Sequence, residues 1–136
     1  MAGIKVERVY GPTRRAVMKG LRIANTRAIG KIDHQPLAIS LRHRDAIVGG
    51  LVGETFLGWM FVSAFWVADE FRGKSFGSKI MRAAEMEAHR RGVKNVYLDT
   101  FSFQAPDFYR TLGYREFGRL DEFPAGYNRR WLTKAL

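Results

Sequence analysis

One stretch decides how this chain is interpreted: Trp66-Val67-Ala68-Asp69-Glu70-Phe71-Arg72-Gly73-Lys74-Ser75-Phe76-Gly77-Ser78-Lys79-Ile80-Met81. It begins as an apolar strand, continues through a basic loop with glycines, and ends as the start of an amphipathic helix. The first N–H groups of a helix lack intrahelical acceptors and lie at its positive end. The charges of Arg72 and Lys74, and the small size of Gly73 and Gly77, add to this pattern and predict a phosphate-binding loop. The alternative is an ordinary strand-turn-helix, because short glycine patterns arise by chance.

The composition limits the class of protein. With 136 residues the chain is long enough for one domain with a buried core, so we expect a single domain over residues 1–136. A hydrophobic content of 46% favours a globular protein. The absence of cysteine excludes disulfides and a thiolate nucleophile, and no histidine or acidic cluster has metal-site spacing, so no metal is expected. No apolar run reaches the ~20 residues of a membrane span and no secretory signal is recognised, so we expect a cytoplasmic protein without a membrane partner.

The net charge of +10 is unevenly distributed. Residues 1–44 carry ten basic and two acidic residues, whereas residues 45–136 carry thirteen basic and eleven acidic residues. A basic N-terminal third can attract an anionic partner or ligand. The charges are not interleaved with aromatic residues, and no helix-turn-helix or RNA-binding signature is present, so nucleic acid is not the expected partner. We favour a solvated face that keeps the protein soluble.

Periodicity predicts the first half of the chain. Alternation of apolar and charged residues predicts a strand over Ile4–Val9, and helical spacing predicts a helix with Thr13 as its N-cap. A hairpin is predicted from Leu37–Leu41 and Ile47–Thr55. The glycines of its second arm suggest a bulge or a close backbone approach.

The second half predicts a strand, a long helix and a return to the sheet. Trp59–Val67 is apolar on both faces, which is typical of a strand in the middle of a covered sheet. A helix follows from Ser75 to Gly92, with a sheet-facing stripe and a water-facing side that includes Glu85 and His89. The sheet-facing stripe is Gly77, Ile80, Met81, Ala84 and Ala88. The remaining predicted elements are a parallel strand over Val93–Phe101, a short helix over Ala105–Leu112, and a hairpin of Tyr114–Leu120 with Asn128–Lys134.

A second motif follows the predicted parallel strand: Gln104-Ala105-Pro106-Asp107-Phe108-Tyr109-Arg110-Thr111-Leu112-Gly113-Tyr114. With the loop Arg72–Gly77 before it, the order closely resembles the GNAT superfamily of acetyl-CoA-dependent N-acetyltransferases. The pyrophosphate loop of that family is Gln/Arg-x-x-Gly-x-Gly/Ala, and its later signature is an aromatic-Tyr pair, three residues, then Gly and an aromatic. The resemblance covers about residues 59–118. Ser75 departs from it by standing at the middle glycine of the loop, and serine is small and a good helix N-cap.

The resemblance implies a mixed α/β fold with acetyl-CoA as co-substrate. The sheet would be largely antiparallel, flanked by helices, and its central parallel strands Trp59–Val67 and Val93–Phe101 would splay at their C-terminal ends. Pantetheine would enter that gap and the pyrophosphate would bind the loop N–H groups. Lys74 would reach a CoA phosphate or stay solvated. The implied CoA-binding residues are Trp66, Val67, Ala68, Arg72, Gly73, Lys74, Ser75, Phe76, Gly77, Ser78 and Ser102.

The resemblance also implies direct attack of an amine on the thioester, without an acyl-enzyme. Tyr109 stands where many GNAT enzymes carry the tyrosine that protonates the leaving thiolate; its alternative is a core aromatic. An N–H of Val67 or Ala68 would stabilise the oxyanion. Glu54 is a candidate general base, because a carboxylate is unusual in a glycine-rich and otherwise apolar strand and therefore indicates a function. A chain of waters is at least an equal candidate for the base. Asp99 is the next candidate, and we favour a structural hydrogen bond as its role.

The identity of the acceptor stays open. We expect the primary amine of a small molecule, because the chain is a bare domain. The alternatives are a protein or peptide amine, and a basic protein that binds CoA or nucleic acid without catalysis. A homodimer is a mild expectation from the resemblance.

Overall fold

A computed structural model describes all of residues 1–136. The helices are α1 (Tyr10–Ile29), α2 (Phe76–Arg90) and α3 (Pro106–Thr111), with a 3₁₀ turn at Asp69–Phe71. The strands are β1 (Gln35–His43), β2 (Ala46–Phe56), β3 (Trp59–Val67), β4 (Asn95–Phe101), β5 (Arg115–Asp121) and β6 (Asn128–Ala135). None of the three helices has both the length and the apolar character needed to cross a membrane.

The chain divides into two compact units, Met1–Asp33 and His34–Leu136. The first unit contains α1, and its predicted strand over Ile4–Val9 is wrong because residues 1–9 form no strand. A short alternating pattern specifies a strand only where a partner strand takes its hydrogen bonds. Helix α1 begins at Tyr10, so Thr13 is not its N-cap. A proline is tolerated in a first turn, where its missing N–H would have no acceptor. The single domain over residues 1–136 stays a prediction.

The second unit is built on one six-stranded sheet with the order β1-β2-β3-β4-β6-β5. Strands β3 and β4 are parallel, as predicted, and every other neighbouring pair is antiparallel. Both predicted hairpins are present as β1–β2 and β5–β6. This largely antiparallel sheet with helices confirms the predicted mixed α/β fold class.

The core lies between α2, α3 and the sheet. Helix α2 buries its predicted stripe, and these side chains pack with alternate residues of the central strands. The buried residues of α2 are Ile80, Met81, Ala84 and Ala88, and those of the strands include Met60, Val62, Val96, Leu98 and Leu132. His89 is exposed, as predicted. Glu85 was expected to face water and does not: it accepts a 2.7 Å hydrogen bond from the Tyr114 hydroxyl and pairs with Lys134 at 3.0 Å.

Strand β3 has the predicted limits but not the predicted burial. Met60 and Val62 are in the core, whereas Trp59 is 38% and Trp66 is 53% exposed. The expectation of burial on both faces is wrong because the core covers one face only. On the other face, Phe61 packs against Tyr97, with ring centroids 4.9 Å apart. Aromatic residues on the less covered face make the strand apolar throughout without burying both sides.

The predicted bulge lies between β2 and β3. Val52 pairs with Ala64 and Gly53 with Val62, so Ser63 is the extra residue of β3. The Ser63 hydroxyl donates a 3.0 Å hydrogen bond to the Val52 carbonyl. A Cβ at Gly53 would clash with the β3 backbone, which explains the glycine. Because a bulge bends its strand, β3 changes direction at Ser63.

Candidate active site

The two parallel strands separate beyond the bulge. Their pairing ends at Val62 and Leu98, although β3 continues to Val67 and β4 to Phe101. The gap opens into a cavity of about 840 Å³. Its lining comes from five segments: Val62–Val67, Phe71–Gly73, Ser75–Ser78, Leu98–Thr100 and Phe103–Ala105, together with Phe108 and Tyr109. The cavity therefore lies at the carboxyl ends of the parallel strands, where α/β sheets bind ligands.

The loop before α2 presents a row of unbonded N–H groups to this cavity. The first helical hydrogen bond is from Lys79 N–H to the Ser75 carbonyl at 3.2 Å, and the N–H groups of residues 73–78 donate none. Gly73 and Ser75 both have positive φ, at 72° and 65°, which turns successive N–H groups toward one side. The first turn of α2 contains no acidic residue. These features are the ones that the prediction of a phosphate-binding loop requires.

Ser75 occupies the N-cap position of α2 but does not act as expected. Its side chain forms no capping hydrogen bond, and its backbone is left-handed with φ of 65°. This conformation costs most residues about 1–2 kcal/mol and glycine nothing. The geometry therefore explains why the GNAT pattern has a glycine here.

Arg72 holds the loop against the end of β3. Its Nε donates a 2.9 Å hydrogen bond to the Val67 carbonyl, and its Nη1 lies 2.9 Å from a carboxylate oxygen of Asp69. Lys74 does not line the cavity, and its ammonium lies 5.8 Å from the ring centroid of Phe71. Arg72 thus orders the loop, and the position of Lys74 fits a solvated lysine.

The backbone pattern distinguishes Val67 from Ala68. The Ala68 N–H donates a 2.8 Å hydrogen bond to the Val48 carbonyl, so it is already used. Successive residues of an antiparallel strand direct their N–H and C=O groups to opposite sides. Val67 therefore directs its N–H into the gap, and of the two candidates for an oxyanion donor only Val67 is available.

Tyr109 lies in α3 at the wall of the cavity and is 7% exposed. Its ring packs edge-on against Phe65 and Tyr114, with centroids 6.4 and 6.0 Å apart. Burial, and then the charge of Asp99, raises the pKa of Tyr109 to about 12. Its hydroxyl forms no hydrogen bond to the protein yet is not sealed off. A protonated phenol with a free O–H is thus available to a group in the cavity.

Other predicted site residues lie elsewhere. Glu54 does not line the cavity, and its carboxylate lies 3.2 Å from His34 Nδ1. Ser102 does not line it either: its hydroxyl accepts a 2.9 Å hydrogen bond from Asn128 N–H and holds the β5–β6 end in place. Of the predicted CoA contacts, the cavity brings together Trp66, Val67, Arg72, Gly73, Ser75, Phe76, Gly77 and Ser78, and leaves out Ala68, Lys74 and Ser102.

Two polar pairs at the cavity were not found from the sequence. Thr100 donates a 3.0 Å hydrogen bond to the Gln104 side-chain oxygen, which also accepts one from Phe101 N–H. Asp99, considered above as a structural residue, is paired with Arg129 at 2.6 Å. No local pattern signals either pair, because Arg129 is brought to Asp99 only by the sheet.

Comparison with known proteins agrees with this geometry. Residues 13–114 match the acetyltransferase (GNAT) family. An acetyltransferase of Agrobacterium fabrum is 33% identical over 121 residues, 88% of each chain. The blasticidin-S acetyltransferase of Streptomyces morookaense is 35% identical over 94 residues, 68% of this chain and 69% of that protein. The crystal structure of an acetyltransferase from Bacillus cereus is 25% identical, has a TM-score of 0.87, and matches over 98% of both chains. The chain belongs to the acetyltransferase (GNAT) family and is an acyltransferase enzyme.

Proposed function

We propose that this enzyme transfers the acetyl group of acetyl-CoA to the primary amine of a small molecule, by direct attack of the amine on the thioester. One observation carries the proposal: a single cavity joins Gly73 and residues 75–78, whose N–H groups are unbonded, with the opened end of β3 and β4 and with Tyr109. The N–H groups suit a pyrophosphate. The unpaired edge of β3 suits the amide groups of a linear pantetheine arm, by the hydrogen bonding that extends a sheet.

The backbone supplies the electrostatic part of the reaction. Attack on the thioester carbonyl places negative charge on its oxygen, and a fixed N–H aimed at that oxygen stabilises the transition state. We assign this role to the Val67 N–H, because the Ala68 N–H is bonded to Val48. Arg72 keeps this end of β3 in place through its hydrogen bond to the Val67 carbonyl.

We assign Tyr109 the role of general acid. The raised pKa keeps its proton in place at neutral pH, and the free hydroxyl can donate to the sulfur as the CoA thiolate leaves. Replacing Tyr109 with Phe should lower kcat by about 100-fold or more and leave the Kd of acetyl-CoA within about threefold. Tyr114→Phe is the control for loss of a buried hydroxyl, because Tyr114 is also buried but does not line the cavity and donates its hydroxyl to Glu85. Unchanged kcat in Tyr109→Phe would refute the assignment.

The attacking amine must first lose a proton, because an alkylammonium has a pKa of roughly 10. Glu54 and a chain of waters are the two candidates for the base. Glu54 lies outside the cavity and pairs with His34, and this placement favours waters as the direct acceptor of the proton. A Glu54→Gln variant with unchanged kcat at pH 7 would exclude Glu54 as the base and leave the chain of waters as the remaining candidate.

A small-molecule acceptor is supported by the relative that is named for blasticidin S, 35% identical to this chain. The alternative is a protein or peptide amine. Calorimetry with acetyl-CoA, CoA and ATP, followed by a screen of small amines and peptides for CoA release, tests the proposal. We expect acetyl-CoA and CoA to bind, ATP not to bind, and small amines to turn over. Turnover of peptides alone would refute the small-molecule acceptor, and no binding of either CoA species would refute the whole proposal.

A further inference from the structure

Asp99 and Arg129 form an unusual ion pair at the edge of the cavity. Arg129 Nε lies 2.7 Å and Arg129 Nη2 lies 2.6 Å from the same carboxylate oxygen, Oδ1. The usual bidentate pair shares its two bonds between both oxygens. Here Asp99 Oδ2 accepts no hydrogen bond from the protein, although the side chain is only 17% exposed. The pair therefore holds the carboxylate and leaves one oxygen available.

Arg129 is itself held in place. Its guanidinium lies 5.2 Å from the ring centroid of Phe101, 5.2 Å from that of Phe123 and 5.0 Å from that of Trp131. Cations are attracted to aromatic faces at such distances. The three rings, the Nε hydrogen bond and the Nη2 ion-pair contact to Oδ1 restrict the guanidinium, so Asp99 has a rigid partner rather than a mobile surface arginine.

Asp99 reaches the gap from the side opposite to Tyr109. Along β4 the side chains alternate, with Leu98 and Thr100 buried and Asp99 half-buried between them. Leu98 belongs to the same core as Tyr109, so Asp99 emerges on the other face of the sheet. Both residues line the one cavity, beyond the last β3–β4 pair. The Asp99 charge also contributes to the raised pKa of Tyr109, which indicates that the two are electrostatically coupled across the gap.

We propose that Asp99 binds the protonated acceptor amine through Oδ2, and that Arg129 is the positioning residue that holds this carboxylate. This inference rests on the proposed function and specifies its acceptor class: an amine that is cationic at neutral pH, such as an alkylamine or diamine, rather than a neutral aromatic amine. A carboxylate oxygen without a protein donor, fixed at the gap on the face away from Tyr109, suits an ammonium group held beside the thioester. Once a water has taken one of its protons, the amine adds to the carbonyl carbon from that face, and the CoA thiolate leaves with the proton of Tyr109.

The test compares acceptors that differ in charge. CoA release is measured for wild type, Asp99→Asn and Glu116→Gln with benzylamine and 1,4-diaminobutane as cationic acceptors and aniline as the neutral one. Glu116→Gln is the matched control, because Glu116 also pairs with arginines but does not line the cavity. Asp99→Asn should raise KM for the cationic amines by about tenfold or more, the value of a charge-assisted hydrogen bond. Its KM for aniline and its Kd for acetyl-CoA should change by less than about threefold.

A double variant controls for destabilisation of the Asp99→Asn protein. Asp99→Asn leaves the Arg129 guanidinium without its carboxylate, so a double variant Asp99→Asn with Arg129→Gln removes both charges. It should show the same rise in KM for cationic amines. Arg129→Lys keeps the charge but not the paired Nε and Nη2 contacts to Oδ1, and should raise KM for cationic amines without changing the Kd of acetyl-CoA.

The outcomes separate this inference from the proposed function. Wild-type protein that binds no acetyl-CoA contradicts the proposed function. Wild-type protein that binds acetyl-CoA but turns over aniline with a higher kcat/KM than either cationic amine contradicts the Asp99 inference alone. Equal KM values for wild type and Asp99→Asn contradict it too, and make the ion pair a purely structural one.

Discussion

Arg72 donates a hydrogen bond of 2.9 Å from its Nε to the backbone carbonyl of Val67, five residues earlier in the chain. The contact joins the loop that presents unbonded N–H groups to the end of the strand that borders the gap. The guanidinium is thus a structural link as well as a positive charge. Its position explains how a basic residue at the start of the loop can influence both the proposed phosphate site and the proposed acyl site.

We therefore expect Arg72→Ala to raise the Kd of acetyl-CoA by about tenfold, because one hydrogen bond of a charged donor and one favourable charge are lost together. Lys74→Ala should raise it by less than about threefold, since Lys74 does not line the cavity. Isothermal calorimetry at physiological salt measures both. Equal losses in the two variants would indicate that charge alone, rather than the contact to Val67, explains the effect of Arg72.

Ser75 provides a test of the loop conformation. Because its φ is 65° and its side chain forms no cap, Ser75→Gly should keep acetyl-CoA binding and raise the free energy of unfolding by up to about 1 kcal/mol. Gly73→Ala, at φ of 72°, should lower it by about 1 kcal/mol.

Urea denaturation of Ser75→Gly, Gly73→Ala and Ser75→Ala measures these free energies of unfolding. It also tests whether the Ser75 side chain caps α2. Ser75→Ala should stay within about 0.5 kcal/mol of wild type, because no capping hydrogen bond is removed. A loss of about 1 kcal/mol or more in Ser75→Ala would instead reveal a working N-cap.

Arg91 joins the end of α2 to the first hairpin. Its Nη1 donates 3.1 Å hydrogen bonds to the Pro36 carbonyl and the Thr55 hydroxyl, and its Nε pairs with Glu87 at 3.1 Å. Arg91→Ala should lower the free energy of unfolding by about 2 kcal/mol, because the buried Thr55 hydroxyl and the half-buried Glu87 carboxylate lose a charged donor. Arg90 also pairs with Glu87 but its side chain is 72% exposed, so Arg90→Ala should cost less than about 0.5 kcal/mol. Similar losses in the two variants by chemical denaturation would contradict this difference.

The raised pKa of Tyr109 predicts how stability changes in alkali. Burial, with a contribution from Asp99, raises that pKa to about 12, whereas an unfolded tyrosine has a pKa of about 10. Between these two values the folded state keeps a proton that the unfolded state has lost, so stability falls as pH rises, by up to about 1.4 kcal/mol per pH unit. Burial and the Glu85 contact raise the pKa of Tyr114 as well, with the same sign.

Urea titrations at pH 9 and pH 11 measure this effect. Tyr109→Phe should lose less stability between the two pH values than wild type does, because the variant has no phenol proton to lose at this position. Parallel losses in wild type and Tyr109→Phe would show that the tyrosine does not contribute to the alkaline decline.

Much of this fold could be predicted from the chain, because its patterns are local. The limits of β3 follow from an apolar run between two turns, and the buried stripe of α2 follows from helical spacing. Two expectations were wrong for a shared reason. A strand over Ile4–Val9 and burial of both faces of β3 depend on what packs beside those residues, which alternation and hydropathy do not specify.

The residues of the candidate site were likewise predicted only in part. The loop residues and Tyr109 were predicted because each lies in a motif of a few consecutive residues, and the cavity brings together Tyr109 and every residue of the loop except Lys74. Glu54 was named from its neighbours along the chain and Ser102 from the family resemblance, yet their side chains contact His34 and Asn128 instead of the cavity. A side chain's partner is decided by strand register, and one residue of shift moves it to the other face.

The sequence by itself determined the local backbone preferences of this protein: the loop that exposes N–H groups before α2, the helix stripe and the position of Tyr109 in its motif. Only the tertiary structure decided that Val67 rather than Ala68 directs its N–H into the gap, and that Arg129 holds one oxygen of Asp99, thirty residues away. The physical reason is that dihedral preferences and hydrophobic periodicity act over a few residues, whereas hydrogen-bond partners across a sheet are set by the bulge at Ser63 and the register of distant strands.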